Sequence, residues 1–458
     1  MQIESAFFLF CFFPLLALLY PLCRKEKRGN WILLIAGLVF YSFGSLQGLL
    51  ILIASAAVNY FLGKEIAKGY TFLCTVGVVF NLAVLGFYKY WNFLLGDLLG
   101  LPQLSLDLAV PLGISFFTFK AVSYLIDVKR NPESRADKFP DFLLYLSFFP
   151  QILAGPLTRF PQFRAQLKER EFGRFGTGLR RVIVGLSKKL LLAGTLSEIT
   201  SVVFPLGKSV LDARLAWLGA IAYMLEIYFD FSGYSDVAIG LGQMFGFDTP
   251  ENFAHPYTAV SVSDFWRKWH ISLSSWFKDY LYIPLGGNRK GRFRTALNKF
   301  LVFAVCGLWH GAAWTFVVWG AWHGLLTALE SLHPIRGKKV WSRWLGRLYA
   351  LLAVCVGFVF FRAESLTQGW QILTAMVTGF RFTEAGTVVL HWILNGKTVL
   401  VLALGVLLSA PVGSLLRKNR TVCRVWEPLA YLGCLILFLL CVMKIAAGGF
   451  APFIYAQF

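Results

Sequence analysis

Long apolar runs, broken at intervals by short charged clusters, set the outline of this chain. The runs cover residues 6–22, 31–44, 46–63, 70–96, 109–127, 180–205, 215–232, 345–361, 398–416 and 428–448, with a shorter pass at 140–157 and a long tract at 299–332. A helix rising about 1.5 Å per residue crosses a hydrocarbon core about 30 Å thick in roughly 20 residues, and most of the runs approach that length. They predict an all-α polytopic membrane protein with roughly ten to twelve transmembrane or re-entrant helices. The run at 6–22 follows "MQIES", which is acidic and lacks the basic start of a secretory signal. It is expected to be the first transmembrane helix rather than a removed leader.

One stretch breaks the pattern. Residues 264–287 read "DFWRKWHISLSSWFKDYLYIPLGG", too polar to cross a bilayer and too aromatic for an ordinary loop. On a helical wheel of 265–282, Phe265, Trp266, Trp269, Leu273, Trp276, Phe277, Tyr280 and Leu281 form one arc. Arg267, Lys268, Ser272, Ser274, Ser275, Lys278 and Asp279 form the other, with His270 at the edge of the apolar arc. Ser263 suits the N-cap, and Pro284 with Gly286 and Gly287 suits the stop. A helix that is Trp-rich on one face and basic on the other is expected to lie in the plane of a membrane surface. That accounts for the amphipathicity but not for His270, which is either a hydrogen-bonded packing residue or a chemical group.

The tract at 299–332 contains "FLVFAVCGLWHGAAWTFVVWGAWHGLL" and two more histidines, His310 and His323. With Lys299 at the interface, His310 falls about 16 Å along a helix, near the middle of the membrane. Gly307 and Gly311 beside it leave room for another backbone or a substrate. Basic clusters at 288–294 and 336–339 flank the tract, and both favour the cytoplasmic side. The tract is therefore expected to be a bent or hairpin-like pair of helices. A buried imidazole is held neutral and can accept a proton, as activation of a hydroxyl for attack on an acyl group requires. The same residue could equally be a helix-packing histidine bonded to a carbonyl. Within "EIYFDFSGYSDVAIGLGQMFGF", Glu226 and Asp230 lie one turn apart on one helix face, and Asp236 follows nearer the helix end. They could relay protons, partner a histidine or mark an interface.

Composition agrees with a membrane location: 57% of the residues are hydrophobic and 15% charged, against about 25% charged in soluble domains. The net charge of +20 sits in short clusters between runs, such as "RKEKR" at 24–28 and "NRKGRFR" at 288–294. That is the distribution of cytoplasmic loops, not of a nucleic-acid surface, and it places the N-terminus outside. The eight cysteines include no CxxC pair, so neither a zinc site nor a disulfide framework is indicated. No phosphate-cradling loop, nucleophile elbow or metal-ligand spacing is present.

Six motifs carry a resemblance: "PLGISFFTFKAVSYLIDVKR" (111–130), "FFPQILAGPLTRFPQF" (148–163), "YFDFSGYSDVAIGLGQMFGFDTPENFAHPY" (228–257), "FWRKWHISLSSWFKDYLYIPLGGNR" (265–289), "GLWHGAAWTFVVWGAWHG" (307–324) and "VFFRAESL" (359–366). The chain resembles the membrane-bound O-acyltransferase family, in the branch of the alginate O-acetyltransferase membrane subunit. The resemblance implies a ring of helices around a thinned central chamber, with in-plane helices. It divides a single domain into N-terminal helices (1–110), a catalytic core (111–332) and C-terminal helices (333–458). It implies His310 as general base and His270 as a second active-site histidine, with His323, in a second "WHG", competing for the principal role. Beside these, Trp309, Glu226 and Asp230 are candidate supporting residues, and Arg289, Lys290, Arg292 and Arg294 are placed to attract donor phosphates, a position that loop topology alone also explains. The resemblance further implies acetyl-CoA as donor, no bound cofactor or metal, and an extracytoplasmic acetyltransferase partner at a bacterial cytoplasmic membrane. The rival readings are a relative acting on teichoic acid, peptidoglycan or a lipid, and, in a different class, a multi-pass transporter.

Overall fold

A computed structural model describes residues 1–22, 26–333, 340–412 and 420–448, all helix and connecting turns with no strand among the described residues. The basic clusters at 24–28, 336–339 and 417–420 lie wholly or partly outside the described residues. In chain order the α-helices are α1 (Phe13–Leu22), α2 (Glu26–Ser42), α3 (Leu46–Ala67), α4 (Phe72–Asn92), α5 (Ile114–Arg130), α6 (Phe139–Ser147), α7 (Phe160–Lys168) and α8 (Phe175–Ser187). They continue as α9 (Gly194–Val203), α10 (Ala213–Met244), α11 (Val262–Lys268), α12 (Ile271–Phe277), α13 (Arg292–His310), α14 (Trp314–Leu332) and α15 (Val340–Arg362). The last are α16 (Leu366–Thr378), α17 (Glu384–Ile393), α18 (Gly396–Ser409) and α19 (Arg420–Ala446).

Among the described residues, five helical stretches are long and apolar enough to cross a bilayer: Leu46–Ala67, Phe72–Leu98, Ala213–Met244, Trp341–Arg362 and Pro428–Ala446. The pair α17 and α18, bent by 74° at its break, makes a sixth if taken as one span. The other apolar runs become shorter or charge-interrupted helices, because hydropathy windows also count residues that fold as caps and turns. The run at 109–127 illustrates this: its helix begins only after the left-handed Gly113 and ends in Lys129 and Arg130.

The chain forms two compact units, residues 1–182 with 235–251, and residues 183–234 with 252 onward. In the first, Asn59 on α3 and Asn81 on α4 exchange reciprocal amide hydrogen bonds of 3.1 and 2.7 Å, a pairing suited to helices that meet in an apolar medium. After α6 the backbone turns irregular, yet Phe148, Phe149, Ile152, Ala154 and Leu157 are buried. This is the shorter apolar pass at 140–157, and here protein encloses its non-helical backbone, as such backbone requires wherever water is absent. Lys120 supports it by donating to the Tyr145 carbonyl and Gln151 Oε1.

The second unit holds His270, His310 and His323. Asp212 accepts the backbone N–H groups of Arg214 and Leu215 and so caps α10. Farther along α10, Asp230 pairs with Lys189 at 2.6 Å, and Glu226 accepts from the Thr200 hydroxyl at 2.6 Å. At the far end of α14, the Glu330 carboxylate accepts the N–H groups of Val262 and Ser263 at 2.7 and 2.8 Å. This satisfies two of the four N–H groups that every helix start leaves unbonded, and it fixes where α11 begins.

The structure corrects the reading of 265–282 as one continuous helix. α11 ends at Lys268, His270 takes left-handed angles (φ 45°, ψ 53°), and α12 starts at Ile271. The N-cap is Ser261, whose hydroxyl accepts from Asp264 N–H, and not Ser263. The aromatic arc also faces protein: Trp266, Trp269, Trp276 and Tyr280 are buried. A wheel shows which residues share a face but not whether lipid or protein covers it. The stop falls where expected, with Gly286 and Gly287 at φ 106° and 55°, angles that only glycine adopts freely.

Candidate active site

Helices α13 and α14 form an antiparallel hairpin joined by residues 311–313. Their backbones touch through glycines. A Cβ on Gly320 would lie 2.6 Å from the Phe303 carbonyl oxygen and 3.0 Å from Gly307 Cα, and one on Gly324 would meet the backbone of Phe300 at 3.1–3.2 Å. These small residues hold the two helices in close contact, and the tract 299–332 is a hairpin as its two basic flanks predicted. His310 is the last residue of α13 and so sits at the hairpin tip, 4% exposed. Rings enclose it: Trp309, Trp319 and Phe361 have centroids 4.9, 5.0 and 5.2 Å from its own.

His270 occupies the break between α11 and α12, each of seven residues and therefore about 10 Å long, too short to span a bilayer. A positive φ is costly for a non-glycine residue and persists where the surroundings impose it. Here Asn252 imposes it. The Asn252 carbonyl accepts Ile271 N–H at 3.0 Å, and Ala254 N–H bonds back to the Lys268 carbonyl at 3.0 Å. Asn252 Oδ1 lies 3.1 Å from Ser272 N, 2.9 Å from Ser272 Oγ and 3.2 Å from His270 Nδ1. The imidazole is 1% exposed, and the Phe231 ring meets it edge-on at 4.5 Å. Burial lowers its pKa from the ordinary 6.5 to about 3, so the ring is neutral at physiological pH.

His323 is sealed. Its Nδ1 accepts from the Trp266 indole N–H at 3.4 Å, and its Nε2 packs on Gly357, where a Cβ would collide with it. Trp319 and Trp266 each stand 5.2 Å from its ring. Trp319 thus lies between His310 and His323, and Phe265 links Trp266 to Trp269 at 5.4 and 5.3 Å. Phe253 then continues from Trp269 to Phe231 at 5.1 Å for each step. The fold therefore gathers His310, Trp309, His323 and His270 into one aromatic cluster.

The remaining site candidates are placed elsewhere. Glu226 and Asp230 are buried and engage Thr200 and Lys189, as described above. Arg289, Lys290, Arg292 and Arg294 are exposed around the start of α13, about 27 Å of helix away from His310. Sequence reasoning missed Asn252, Trp266, Trp319, Phe361 and Gly357. The only signal for Asn252 was its place in "PENF", within one of the six motifs.

The model of the membrane-bound O-acyltransferase family matches residues 100–367, more than half of the chain and all of the histidine cluster. The chain belongs to this family. It is similar to a "Probable alginate O-acetylase" of Azotobacter vinelandii, 40% identical over 391 residues, or 82% of this chain and 78% of that protein. A protein of the same name from Pseudomonas aeruginosa is also 40% identical, over 82% of this chain and 75% of its own length. The peptidoglycan O-acetyltransferase of Helicobacter pylori is 33% identical, over 82% of this chain and 79% of its own. The chain is thus an O-acyltransferase of a multi-pass membrane family, with acetyltransferases among its relatives. For such an enzyme the cluster offers buried imidazoles in an aromatic setting, and that of His270 is held neutral with a lone pair able to accept a proton.

Proposed function

We propose that this O-acyltransferase moves an acetyl group from a cytoplasmic thioester, acetyl-CoA, across the membrane for O-acetylation of an extracytoplasmic polysaccharide of the alginate type. His310 is the general base. It takes the proton of the acceptor hydroxyl as the oxygen attacks the thioester carbonyl; the tetrahedral intermediate then collapses, and the proton follows the departing thiolate. His270 is the second active-site histidine, and Trp309 walls the site. His323, with both ring nitrogens engaged or covered, positions the aromatic wall and is not the base. Glu226 and Asp230 hold α10 against the helix of Lys189 and Thr200. Arg289, Lys290, Arg292 and Arg294 draw the donor's phosphates to the cytoplasmic end of α13. The enzyme sits in a bacterial cytoplasmic membrane with its N-terminus outside, and a separate extracytoplasmic acetyltransferase completes delivery to the polymer.

The observation that carries this reading is the buried imidazole at the tip of the glycine-packed hairpin, in a chain 40% identical to proteins named for alginate O-acetylation. A second acceptor, peptidoglycan, is favoured by the Helicobacter pylori relative at 33% identity. Replacing His310 with Ala in cells that make the polymer tests both. O-acetyl groups should disappear from the polysaccharide, or from the glycan strands under the second reading, while the protein remains inserted. Unchanged acetylation of both polymers would overturn the assignment.

A further inference from the structure

Proton positions at His270 follow from which of its neighbours can only donate. Asn252 Oδ1 lies 3.1 Å from the backbone nitrogen of Ser272. A backbone N–H donates and cannot accept, so the amide atom facing it is the oxygen, and the orientation of the Asn252 side chain is fixed. That oxygen is also 3.2 Å from His270 Nδ1. An amide oxygen only accepts, so Nδ1 must carry the hydrogen. In a neutral imidazole Nε2 then bears the lone pair. Nε2 is buried and has no hydrogen-bond partner among the described residues.

His323 is wired the opposite way. The Trp266 indole donates to Nδ1 at 3.4 Å, and indole has no acceptor, so the hydrogen of His323 sits on Nε2, which packs on Gly357. His270 and His323 are thus fixed in opposite tautomers, and of these two it is His270 whose lone pair has no hydrogen-bond partner among the described residues.

We propose that Asn252 is a positioning residue of the acyl transfer: it locks His270 in the Nδ1–H tautomer and in its left-handed turn, so that Nε2 accepts the hydrogen of a water that bridges to the acceptor, whose own hydroxyl proton goes to His310. Three bonds do this together. The Asn252 carbonyl fixes Ile271 N–H, its side-chain oxygen fixes Ser272 N–H, and the same oxygen fixes the ring. The side chain therefore stands in for an N-cap of α12 that His270, in its own conformation, does not supply. The catalytic part of this proposal rests on the function proposed above; the tautomer does not.

Two measurements on the full-length protein in lipid vesicles test it. In wild-type protein labelled with nitrogen-15 histidine, and with His270 assigned by the signals lost in His270→Gln, solid-state NMR should show a protonated Nδ1 and an unprotonated Nε2 at neutral pH. A protonated Nε2 or an imidazolium would overturn the proposal without touching the assigned function. In a vesicle assay with labelled acetyl-CoA, Asn252→Ala should lower kcat by about 10- to 100-fold, the range for partners that orient a working histidine, with KM for acetyl-CoA unchanged. Asn252→Asp, whose carboxylate accepts the same bonds, should recover most of that loss. Placed in a His270→Ala background, Asn252→Ala should cost nothing further, because the two act as one unit. An equal loss in both backgrounds, or no rescue by Asp, would make Asn252 merely structural. If wild type transfers no acetyl group at all, the proposed function fails while the spectroscopic result still decides the tautomer.

Discussion

Replacing Gly320 with Ala adds one methyl group where α13 and α14 touch. The new Cβ would stand 2.6 Å from the Phe303 carbonyl oxygen and 3.0 Å from Gly307 Cα, against ordinary contacts of about 3.3 Å or more. Both neighbours are backbone, so no side chain can swing aside and the helices must part by roughly 0.7 Å. Overpacking of this kind costs about 1–3 kcal/mol. Alanine's better helix propensity returns about 1 kcal/mol, which complicates a comparison with wild type alone. Gly86→Ala in α4 supplies the control, because a Cβ there meets nothing within 4 Å and gains the propensity alone. Gly320→Ala should therefore be about 1–3 kcal/mol less stable than Gly86→Ala. Gly307 lies three residues, about one turn, before His310, so the displacement reaches the tip. A catalytic group misplaced by about 1 Å can cost about 100-fold, and acetyl transfer should fall by about 10- to 100-fold. Reconstituted protein assayed with labelled acetyl-CoA, together with its thermal midpoint, measures both effects. Equal stability and equal turnover in the two variants would refute the claim that backbone contact between these helices sets the position of His310.

Lys189→Met removes the 2.6 Å ion pair of the buried Asp230, and removing one member of a buried pair costs about 3–5 kcal/mol; the thermal midpoint should drop, and adding Asp230→Leu should restore most of it. Glu330→Ala strips the carboxylate from two N–H groups at the start of α11 and should lower stability by about 2 kcal/mol, with Glu330→Gln milder because its amide oxygen still accepts. Stability should also depend on pH through His270. Its folded pKa of about 3 lies below the unfolded 6.5, so the unfolded chain binds the extra proton: the contribution is complete above pH 6.5 and is lost as pH falls towards 3. Between pH 7 and pH 5, wild type should lose about 2 kcal/mol more than His270→Gln, read from paired thermal melts.

Much of the helical outline was legible, because residues such as those of α3 and α4 form predominantly apolar runs whose length alone implies a span. The hairpin was legible too: basic residues at both ends of 299–332 cannot both stay on one side if the tract crosses once. The break at His270 was not. The wheel of 265–282 is nearly as consistent with one helix as with two, and what enforces the break, Asn252, lies eighteen residues upstream. The Trp arc misled for a related reason, since an apolar face packed on Phe253, Phe358 and Tyr257 has the same sequence pattern as one resting in lipid. Helices α16 and α17 escaped because they are too short to register as spans, although Ser365 and Thr383 cap them in the usual way. At the site, the histidines could be found from their apolar surroundings, but their partners, Trp266 for His323 and Asn252 for His270, are set by tertiary structure.

The most direct measurement is acetyl transfer by purified protein in sealed vesicles, with labelled acetyl-CoA supplied on the face of Arg292 and Arg294 and an acetyl acceptor on the other. Wild type should move label to the acceptor side, and His310→Gln, inserted and folded to the same extent, should reduce that rate by at least about 1,000-fold, as expected when a base that activates the attacking group is removed. A His310→Gln enzyme that transfers label at the wild-type rate would contradict the account at its centre.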